Sequence, residues 1–276
     1  MENTPVKLPD DSYDPAYFEP LFEAEEKHFW FRSRNKVIGS LTGGLLRGLG
    51  RPVRILEIGC GTGNVLREWG RLEPSPDLVC GMDLFAEGLR IARQRVSCSL
   101  LQGDVKAPPF RDSFHLIGLF DVLEHIPDDQ GVLDALGEML VANGVVLITV
   151  PAFPSLWSYF DVASHHARRY LLEDLQAKVV AAGFKVEFIS YYMMSIFPMV
   201  WLQRKLAGLG QTTRAADRPD KIRDMALEEL KIIPGINGIL NFILLQEAKW
   251  ISGCRKLPFG TSLVLAARKQ PVRHAG

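Results

Sequence analysis

The feature of the sequence with the clearest chemical use is a glycine-rich turn after an apolar run. It contains an acidic residue followed by three glycines, in the order Glu57, Gly59, Gly61 and Gly63. Glycines in such a turn let the backbone approach a ligand without a Cβ atom in the way. Asn64 stands where the dinucleotide pattern GxGxxG has its third glycine, which favours a ligand with an amino-acid tail over a pyrophosphate. A tight strand-to-helix connection that binds nothing is the alternative.

Two aspartates at the ends of later apolar runs extend this candidate site. Asp83 follows Gly59 by 24 positions, where a carboxylate can accept hydrogen bonds from both hydroxyls of a ribose. Asp104 ends the run LLQGD and suits an exocyclic amine such as that of adenine. Either aspartate alone serves equally well as a helix N-cap. Open α/β sheets bind ligands at the carboxyl ends of their strands, so we predict one site there.

The elements that must position these residues alternate between short β-type runs and amphipathic helices. This alternation is typical of a parallel sheet with helices on both faces, so we predict an α/β fold with a doubly wound sheet. The predicted strands are 53–58, 78–83, 98–102, 115–120, 144–150, 185–190 and 261–267. The predicted helices between them are 63–70, 86–95, 131–141 and 171–182.

The rest of the chain is arranged around this core. We expect residues 1–50 to form a loose arm and a cap of one or two helices, and residues 51–190 to form the core. About 70 residues with three helical patterns precede the last strand, and connections of this length tend to be functional. We therefore predict a helical insert at 191–259 over one end of the sheet, and the final strand and a tail at 260–276.

Composition limits the classes of function. The 276 residues are 47% hydrophobic and 23% charged, as in an ordinary globular protein. The 32 lysines and arginines balance 32 aspartates and glutamates, so no overall field attracts a polyanion and we expect no nucleic-acid partner. Four cysteines without a CxxC pair predict neither disulfides nor structural zinc, and hence a cytoplasmic protein. No apolar run reaches the ~18 residues of a membrane span, and the acidic, proline-rich N-terminus is unlike a secretory signal.

Taken together, the motifs resemble those of the class I S-adenosylmethionine-dependent methyltransferases. The matching segments are LEIGCGTGN (56–64), GMDLFAEGLRIAR (81–93), LQGDVKAPPF (101–110), FDVLEHIPD (120–128) and GVVLITVP (144–151). The resemblance implies a Rossmann-like sheet of seven strands with the last strand antiparallel. It also implies S-adenosyl-L-methionine as cofactor, with S-adenosyl-L-homocysteine as the product.

The same resemblance assigns roles to individual residues. Glu57 and the three glycines would shape the methionine side of the site, and Phe120 would lie near the thioether. Asp83, with Leu84 beside it, would hold the ribose. Asp104 and Val105 would meet the adenine.

A closer likeness concerns residues 28–38, HFWFRSRNKVI. They resemble the N-terminal helix of methyltransferases related to the ubiquinone-pathway O-methyltransferases, in which an arginine pairs with the carboxylate of the cofactor. A guanidinium fits a carboxylate bidentately, and the resemblance gives this role to Arg34. Arg32 lies two positions away, and a solvated helix face is the alternative for either arginine.

Histidines are the candidates for a general base, because a pKa near ~6.5 suits proton transfer at neutral pH. His125 follows the fourth strand in DVLEH, and His165 and His166 lie in SHHARRY after the fifth strand. A structural role is the alternative for His125 and also for His166. Some ubiquinone-pathway relatives bind a divalent cation through ExxEH, where this chain has Asp121, Glu124 and His125. A hard ion would accept that set, but caps and ion pairs use the same residues, and we predict no metal.

Aromatic and methionine side chains are concentrated at 191–202, YYMMSIFPMVWL, and make an adaptable apolar wall. The core of the insert, a contact between copies of the chain and a pocket for the acceptor are all open interpretations. The residues expected to bind the acceptor are Phe153, Trp157, Tyr170, Tyr192 and Phe197. Two uncharged runs, 188–203 and 232–246, also leave open a contact with a membrane surface or a lipid.

The predicted function is in-line transfer of a methyl group to a small aromatic or lipid-like acceptor, most readily at oxygen, with positioning as the main catalytic effect. N- or C-methylation of a natural product and an inactive, methyltransferase-like binding protein are the alternatives. A nicotinamide oxidoreductase is disfavoured by Asn64 and by the lack of a Tyr/Lys or His/Asp arrangement for hydride transfer. DVLE stands in place of the NPPY tetrad of nucleic-acid N-methyltransferases, which again argues against a nucleic-acid substrate.

Overall fold

Seven strands form one sheet in the computed structural model, which describes residues 14–211 and 219–271, without the side chains of 207–223. Most of the predicted N-terminal arm, residues 1–13, and the tail end, 272–276, lie outside the described residues. The strands are β1 Arg54–Ile58, β2 Leu78–Asp83, β3 Ser99–Gln102, β4 Phe114–Phe120, β5 Leu140–Pro151, β6 Phe184–Tyr192 and β7 Ser262–Lys269.

The order of the strands is β3-β2-β1-β4-β5-β7-β6. Strands β1 to β5 pair in parallel, and β7 runs antiparallel to both β5 and β6. The predicted doubly wound, seven-stranded sheet with an antiparallel last strand is therefore confirmed. Strand β5 begins at Leu140 rather than at 144, and a register shift opposite Phe114 and Leu116 accommodates the extra residues.

Helices cover both faces of the sheet. Their bounds are α1 Phe18–Glu25, α2 Phe29–Leu46, α3 Asn64–Trp69, α4 Ala86–Ala92, α5 Asp129–Met139, α6 Tyr159–Ala163, α7 Leu172–Ala181, α8 Phe197–Gln211, α9 Pro219–Glu228 and α10 Pro234–Ser252. None of the described helices is long and apolar enough to cross a membrane.

Two buried layers follow from the alternation of side chains along the strands. In β4, Ile117 and Leu119 join the layer under α5 and α7, whereas Leu116 and Phe120 join the layer under α2, α3 and α10. The central strands β1, β4 and β7 are buried on both faces, which explains why they read as nearly continuous apolar runs.

The last helix of the insert is attached to the core. Leu244, Ala248 and Ile251 of α10 are buried in the same layer as α2. The buried carboxylate of Glu247 accepts hydrogen bonds from the backbone of Met194 and Ser195 at 2.7 and 2.8 Å. These contacts fix α10 beside the start of α2, and both helices thereby border the carboxyl end of the sheet.

Candidate functional site

A cavity of about 1300 Å³ lies at the carboxyl ends of β1, β2 and β4. The residues after these strands form its floor, and α2, α8 and α10 contribute its walls. Small-molecule sites typically measure ~300–1,000 Å³, so this cavity has room for two molecules side by side.

The glycine turn forms one end of the floor. Gly59, Gly61 and Gly63 have φ of +69°, +48° and +76°, a region that residues with a Cβ seldom adopt. The backbone N–H of Gly59 donates to the carbonyl of Met82 at 2.8 Å, which ties the turn to β2. A Cβ on Gly59 would lie 2.3 Å from Val122 Cγ2, so no other residue fits there without movement of its surroundings.

Asp83 links the turn to the next strand. Its carboxylate accepts hydrogen bonds from the backbone N–H of Gly61 at 2.7 Å and of Phe85 at 2.8 Å. Burial raises the pKa of Asp83 to about 6, although these backbone hydrogen bonds act in the opposite direction. Asp83 can bind these backbone groups and a ligand at the same time. Each of its carboxylate oxygens has a second lone pair, and the residue borders the cavity.

The predicted cofactor residues are brought together, with one exception. Gly63 does not border the cavity; an added Cβ there would lie 3.1 Å from the Cβ of Ala92, so this glycine lets α3 approach α4. Asp104 is half-buried and also accepts from the backbone of Lys106 at 2.9 Å. Those that border the cavity are Arg34, Glu57, Gly59, Gly61, Asp83, Leu84, Asp104, Val105 and Phe120.

Arg34 and Arg32 differ in position. Arg32 is exposed, whereas Arg34 is buried and borders the cavity. Arg34 Nη1 donates to Asp121 Oδ2 at 2.7 Å, and its guanidinium lies 5.0 Å from the centre of the Trp30 ring. Burial opposes the charge of Arg34, but the neighbouring Asp121 outweighs it and leaves the pKa raised.

The three candidate histidines lie at the other half of the cavity, in different environments. His166 Nδ1 lies 2.9 Å from Asp161 Oδ1, and Asp161 also accepts from Arg169 Nε at 2.6 Å. Burial alone would raise the pKa of Asp161, but the hydrogen bond with His166 and the charge of Arg169 outweigh it and lower the pKa. His165 is exposed at the rim of the cavity.

His125 packs edge-on against His166, with ring centres 4.7 Å apart. Burial, followed by the influence of His166, lowers the pKa of His125 to about 3. Glu124 beside it is fully buried, and burial together with the charge of Asp121 raises the pKa of its carboxyl well above the usual range. Ligand atoms of Glu124, His125 and His166 lie within 4.8 Å of one another, whereas Asp121 of the ExxEH-like pattern pairs with Arg34 instead.

The expected acceptor residues are mostly behind the cavity wall. Trp157 borders the cavity and is 42% exposed. Phe153 stacks on Tyr191 and contacts Phe197, and the Tyr170 hydroxyl donates to Asp129 at 2.9 Å. Tyr192 is buried outside the cavity lining. The apolar lining comes instead from Phe29, Trp30, Phe160, Met199, Ile236 and Leu240.

Comparison with protein families identifies the class of protein to which the chain belongs. The family model described as "Methyltransferase domain" matches residues 23–188, more than half of the chain. The chain belongs to the class I S-adenosylmethionine-dependent methyltransferases. The start of α1, the end of β6, the helical insert and β7 of the methyltransferase lie outside the matched range.

Known relatives of the methyltransferase are distant. It is 24% identical over 177 residues to the ubiquinone biosynthesis O-methyltransferase of Thiobacillus denitrificans, covering 61% of this chain and 64% of the relative. It is 28% identical over 176 residues to the malonyl-[acyl-carrier protein] O-methyltransferase of Pseudescherichia vulneris, covering 61% and 68%. The chain spans about half to two thirds of the length of the curated relatives it matches.

A solved structure shares the fold of the methyltransferase. One chain of the Haloferax volcanii complex between the Trm112 methyltransferase activator and a methyltransferase superposes with a TM-score of 0.57. It is 15% identical and covers 94% of this chain and 96% of that chain. At this level of identity the likeness concerns the fold alone.

The residues at the methyltransferase floor fit S-adenosylmethionine. Glu57 Oε2, both amide atoms of Asn64 and Arg34 Nε are buried without a hydrogen-bond partner among the described residues, and all three side chains border the cavity. Buried polar groups are normally paired, so a ligand with an ammonium and a carboxylate would satisfy them. In the sequence, Asn64 was informative only because it replaces a glycine of the dinucleotide pattern. That pattern gave no indication that its amide lies unpaired at the cavity.

Proposed function

We propose that the methyltransferase acts on the oxygen of a small aromatic or lipid-like acceptor, with His166 as general base. The observation that carries this proposal is the contact at 2.9 Å between His166, which borders the cavity, and the carboxylate of Asp161, which is buried behind it. A carboxylate on Nδ1 holds the imidazole in the tautomer whose Nε2 accepts a proton, and it stabilises the imidazolium that forms. The proposal thus pairs a base with the residue that orients it.

The other two histidines are less suited to this task. A conjugate acid with a pKa of about 3 makes His125 a weak proton acceptor at neutral pH. His165 is exposed, and it has no carboxylate partner among the described hydrogen bonds. We assign His125 a packing role against His166, and His165 a position at the rim.

The floor residues would hold the cofactor at its two polar ends. S-adenosylmethionine, when bound, supplies a methyl group on a positively charged sulfur. Arg34 would pair with the carboxylate of its methionine part, and Glu57 would receive the ammonium. Asp83 would accept the ribose hydroxyls, and Asp104 would accept from the adenine amine. His166 Nε2 would take the proton that the acceptor hydroxyl loses as the new bond to carbon forms.

Apolar and aromatic side chains contribute much of the acceptor half of the cavity. Phe29 and Trp30 of α2 and Met199 and Ile236 of the insert all line it. Such a lining favours an aromatic or lipid-like molecule over a free amino acid. Both relatives named above are O-methyltransferases, which supports oxygen as the methylated atom.

The test is a transfer assay with radiolabelled S-adenosylmethionine. Acceptors are offered in matched pairs, a phenol and the corresponding aniline, each with a short and a long alkyl chain. We expect methylation of the long-chain phenol. Exclusive methylation of the aniline would assign the chain to N-methylation, and cofactor binding without turnover of any acceptor would favour the inactive binding protein.

Variants of the cavity wall test the base. His166→Gln should lower kcat by roughly 10²–10⁴-fold, the range of a general base, with unchanged affinity for S-adenosylhomocysteine. Asp161→Asn should lower kcat and also shift the pH profile of kcat, which a purely structural role would not move. His165→Gln is the matched control and should remain within a factor of two or three. If His166→Gln keeps its kcat, another group removes the proton.

A further inference from the structure

The insert carries an unusual concentration of exposed apolar side chains. Seventeen large apolar side chains are exposed in the described part of the chain, and ten of them lie between residues 199 and 250. An apolar patch of this kind normally marks a site of interaction. These residues, which we call the insert patch, are Met199, Trp201, Leu202, Leu206, Ile233, Ile236, Ile239, Phe242, Ile243 and Trp250.

Helix spacing places the patch on the outward side of the insert. Leu244, Ala248 and Ile251 of α10 are buried in the layer that includes α2. Ile239 and Phe242, 63% and 66% exposed, lie on the opposite side of the helix. On α8, Leu202 and Leu206 are one turn apart and both are exposed. An ordinary surface helix would carry polar residues at these positions.

The exposed charges at the α10 end of the patch have one sign, whereas α9 carries the exposed carboxylates Asp224 and Glu228. Among the exposed residues of 230–260 every acidic or basic side chain is cationic, because the segment's one carboxylate, Glu247, is buried. Lys231 forms an ion pair with Glu228, so the net positive charge of this segment is at the C-terminal end of α10. Arg255 at this end lies 4.4 Å from the centre of the Trp250 ring. The cations at this end are Lys249, Arg255 and Lys256.

The patch also reaches the cavity. Met199, Ile233 and Ile236 are exposed on the surface and border the cavity as well. The patch and the cavity therefore share these three apolar side chains.

We propose that the insert patch docks the protein on an anionic lipid surface. Apolar and tryptophan side chains would enter the headgroup region, and the cations would pair with anionic headgroups. A second copy of the chain fits less well, because a symmetric contact through the patch would bring two sets of cations together. The proposal goes beyond the proposed reaction and does not depend on it, although it agrees with a lipid-like acceptor.

The experiment is sedimentation of the full chain with vesicles. Vesicles of phosphatidylcholine alone are compared with vesicles that also contain phosphatidylglycerol. We expect the protein to sediment with the anionic vesicles and to be released by salt, since screening weakens the contribution of the cations. Binding to neither kind of vesicle would overturn the proposal.

Two variants and one control localise the contact. The double variant Ile239→Ser and Phe242→Ser should reduce vesicle binding by about tenfold, while both residues lie outside the cavity lining. Lys249→Glu with Lys256→Glu should remove the preference for anionic vesicles. Val180→Ser changes an apolar residue on α7 that is 53% exposed, and it should bind as the wild type does. If the Ile239→Ser and Phe242→Ser variant binds vesicles as well as the wild type does, the insert patch is not the contact surface.

Two further measurements separate the remaining outcomes. A wild-type dimer in analytical ultracentrifugation that the Ile239→Ser and Phe242→Ser variant converts to monomer, without vesicle binding, would identify a second copy as the occupant. Titration with S-adenosylhomocysteine is carried out without vesicles. A protein that binds vesicles but not this ligand would refute the proposed function and leave the docking surface intact.

Discussion

Arg34 of α2 and Asp121 at the end of β4 are joined by a hydrogen bond of 2.7 Å within the cofactor half of the cavity. Asp121 has a φ of +57°, which is uncommon for a residue other than glycine and stores backbone strain at that point. Arg34 Nε is buried without a partner among the described residues. The aspartate therefore fixes the guanidinium while one of its donors stays available to a carboxylate.

Replacing Arg34 should weaken cofactor binding selectively. A hydrogen bond to a charged group contributes ~1.5–3 kcal/mol, so Arg34→Gln should raise the Kd of S-adenosylhomocysteine at least about tenfold in calorimetric titration. Arg32→Gln removes an exposed arginine two positions away and serves as the matched control, with an unchanged Kd. If Arg32→Gln has the larger effect, the assignment within residues 28–38 is reversed.

Affinity for the cofactor should depend on pH through Asp83. Its pKa is raised to about 6 in the protein without ligand, and the ribose hydroxyls would donate to the ionised form. Binding therefore favours loss of the proton, and affinity should fall as pH decreases through about 6. By linkage we expect S-adenosylhomocysteine to bind roughly tenfold more weakly at about pH 5 than at about pH 7.

Asp83→Asn provides the control for this pH dependence. The amide does not titrate, so its weaker binding should depend on pH less steeply than that of the wild type between about pH 5 and about pH 7. A slope in the variant equal to that of the wild type would show that another group titrates, and Asp83 would then not be the residue that accepts the ribose hydroxyls.

The glycine turn permits a matched comparison of strain and crowding. Gly59 and Gly183 both have positive φ, but only at Gly59 would a Cβ collide with another side chain, 2.3 Å from Val122 Cγ2; around Gly183 the space is open. Gly183→Ala should cost the ~1–2 kcal/mol of a left-handed backbone. Gly59→Ala should cost ~1–3 kcal/mol more, because the overpacked side chains must move.

Urea unfolding monitored by circular dichroism measures both free energies of unfolding. Gly59→Ala should also weaken the binding of S-adenosylhomocysteine, since Gly59 borders the cavity. Equal destabilisation by the two substitutions would mean that Val122 moves aside without cost and that only the backbone matters.

The fold could be predicted from the sequence, and so could the position of several polar residues at the cavity, for a physical reason. Central strands of an α/β sheet are mostly apolar, and polar groups that meet a ligand lie at their carboxyl ends. Asp83 ends β2, Asp104 follows β3 and Glu57 is the next-to-last residue of β1, and all three border the cavity. Gly63 obeys the same local pattern, but its packing against Ala92 depends on how closely two helices approach, which spacing does not specify.

The acceptor half was not predictable to the same degree. Phe153, Tyr170 and Phe197 are aromatic, as acceptor residues often are, but aromatic side chains pack equally well against one another away from a cavity. Tyr170 is buried in the core, whereas Phe153 and Phe197 are half-buried and pack against Tyr191 and Phe259. Asp161 forms a capping box with Ser158, a pattern that indicates the start of a helix and not a partner for a histidine. Its contact with His166 at 2.9 Å depends on the conformation of the turn after α6, which the spacing of the two residues does not specify.

The last prediction concerns metal. Ligand atoms of Glu124, His125 and His166 lie within 4.8 Å of one another, which is close enough for a divalent cation. His166 Nε2 has one lone pair, however, and it cannot hold a metal ion and accept a proton in the same step. If His166 is the base, turnover should survive prolonged dialysis against EDTA, and added Mg²⁺ or Zn²⁺ should not raise kcat. Loss of activity after dialysis, with recovery on addition of one ion and an equimolar metal content by mass spectrometry, would instead assign the three side chains to a metal site and remove His166 from its proposed role.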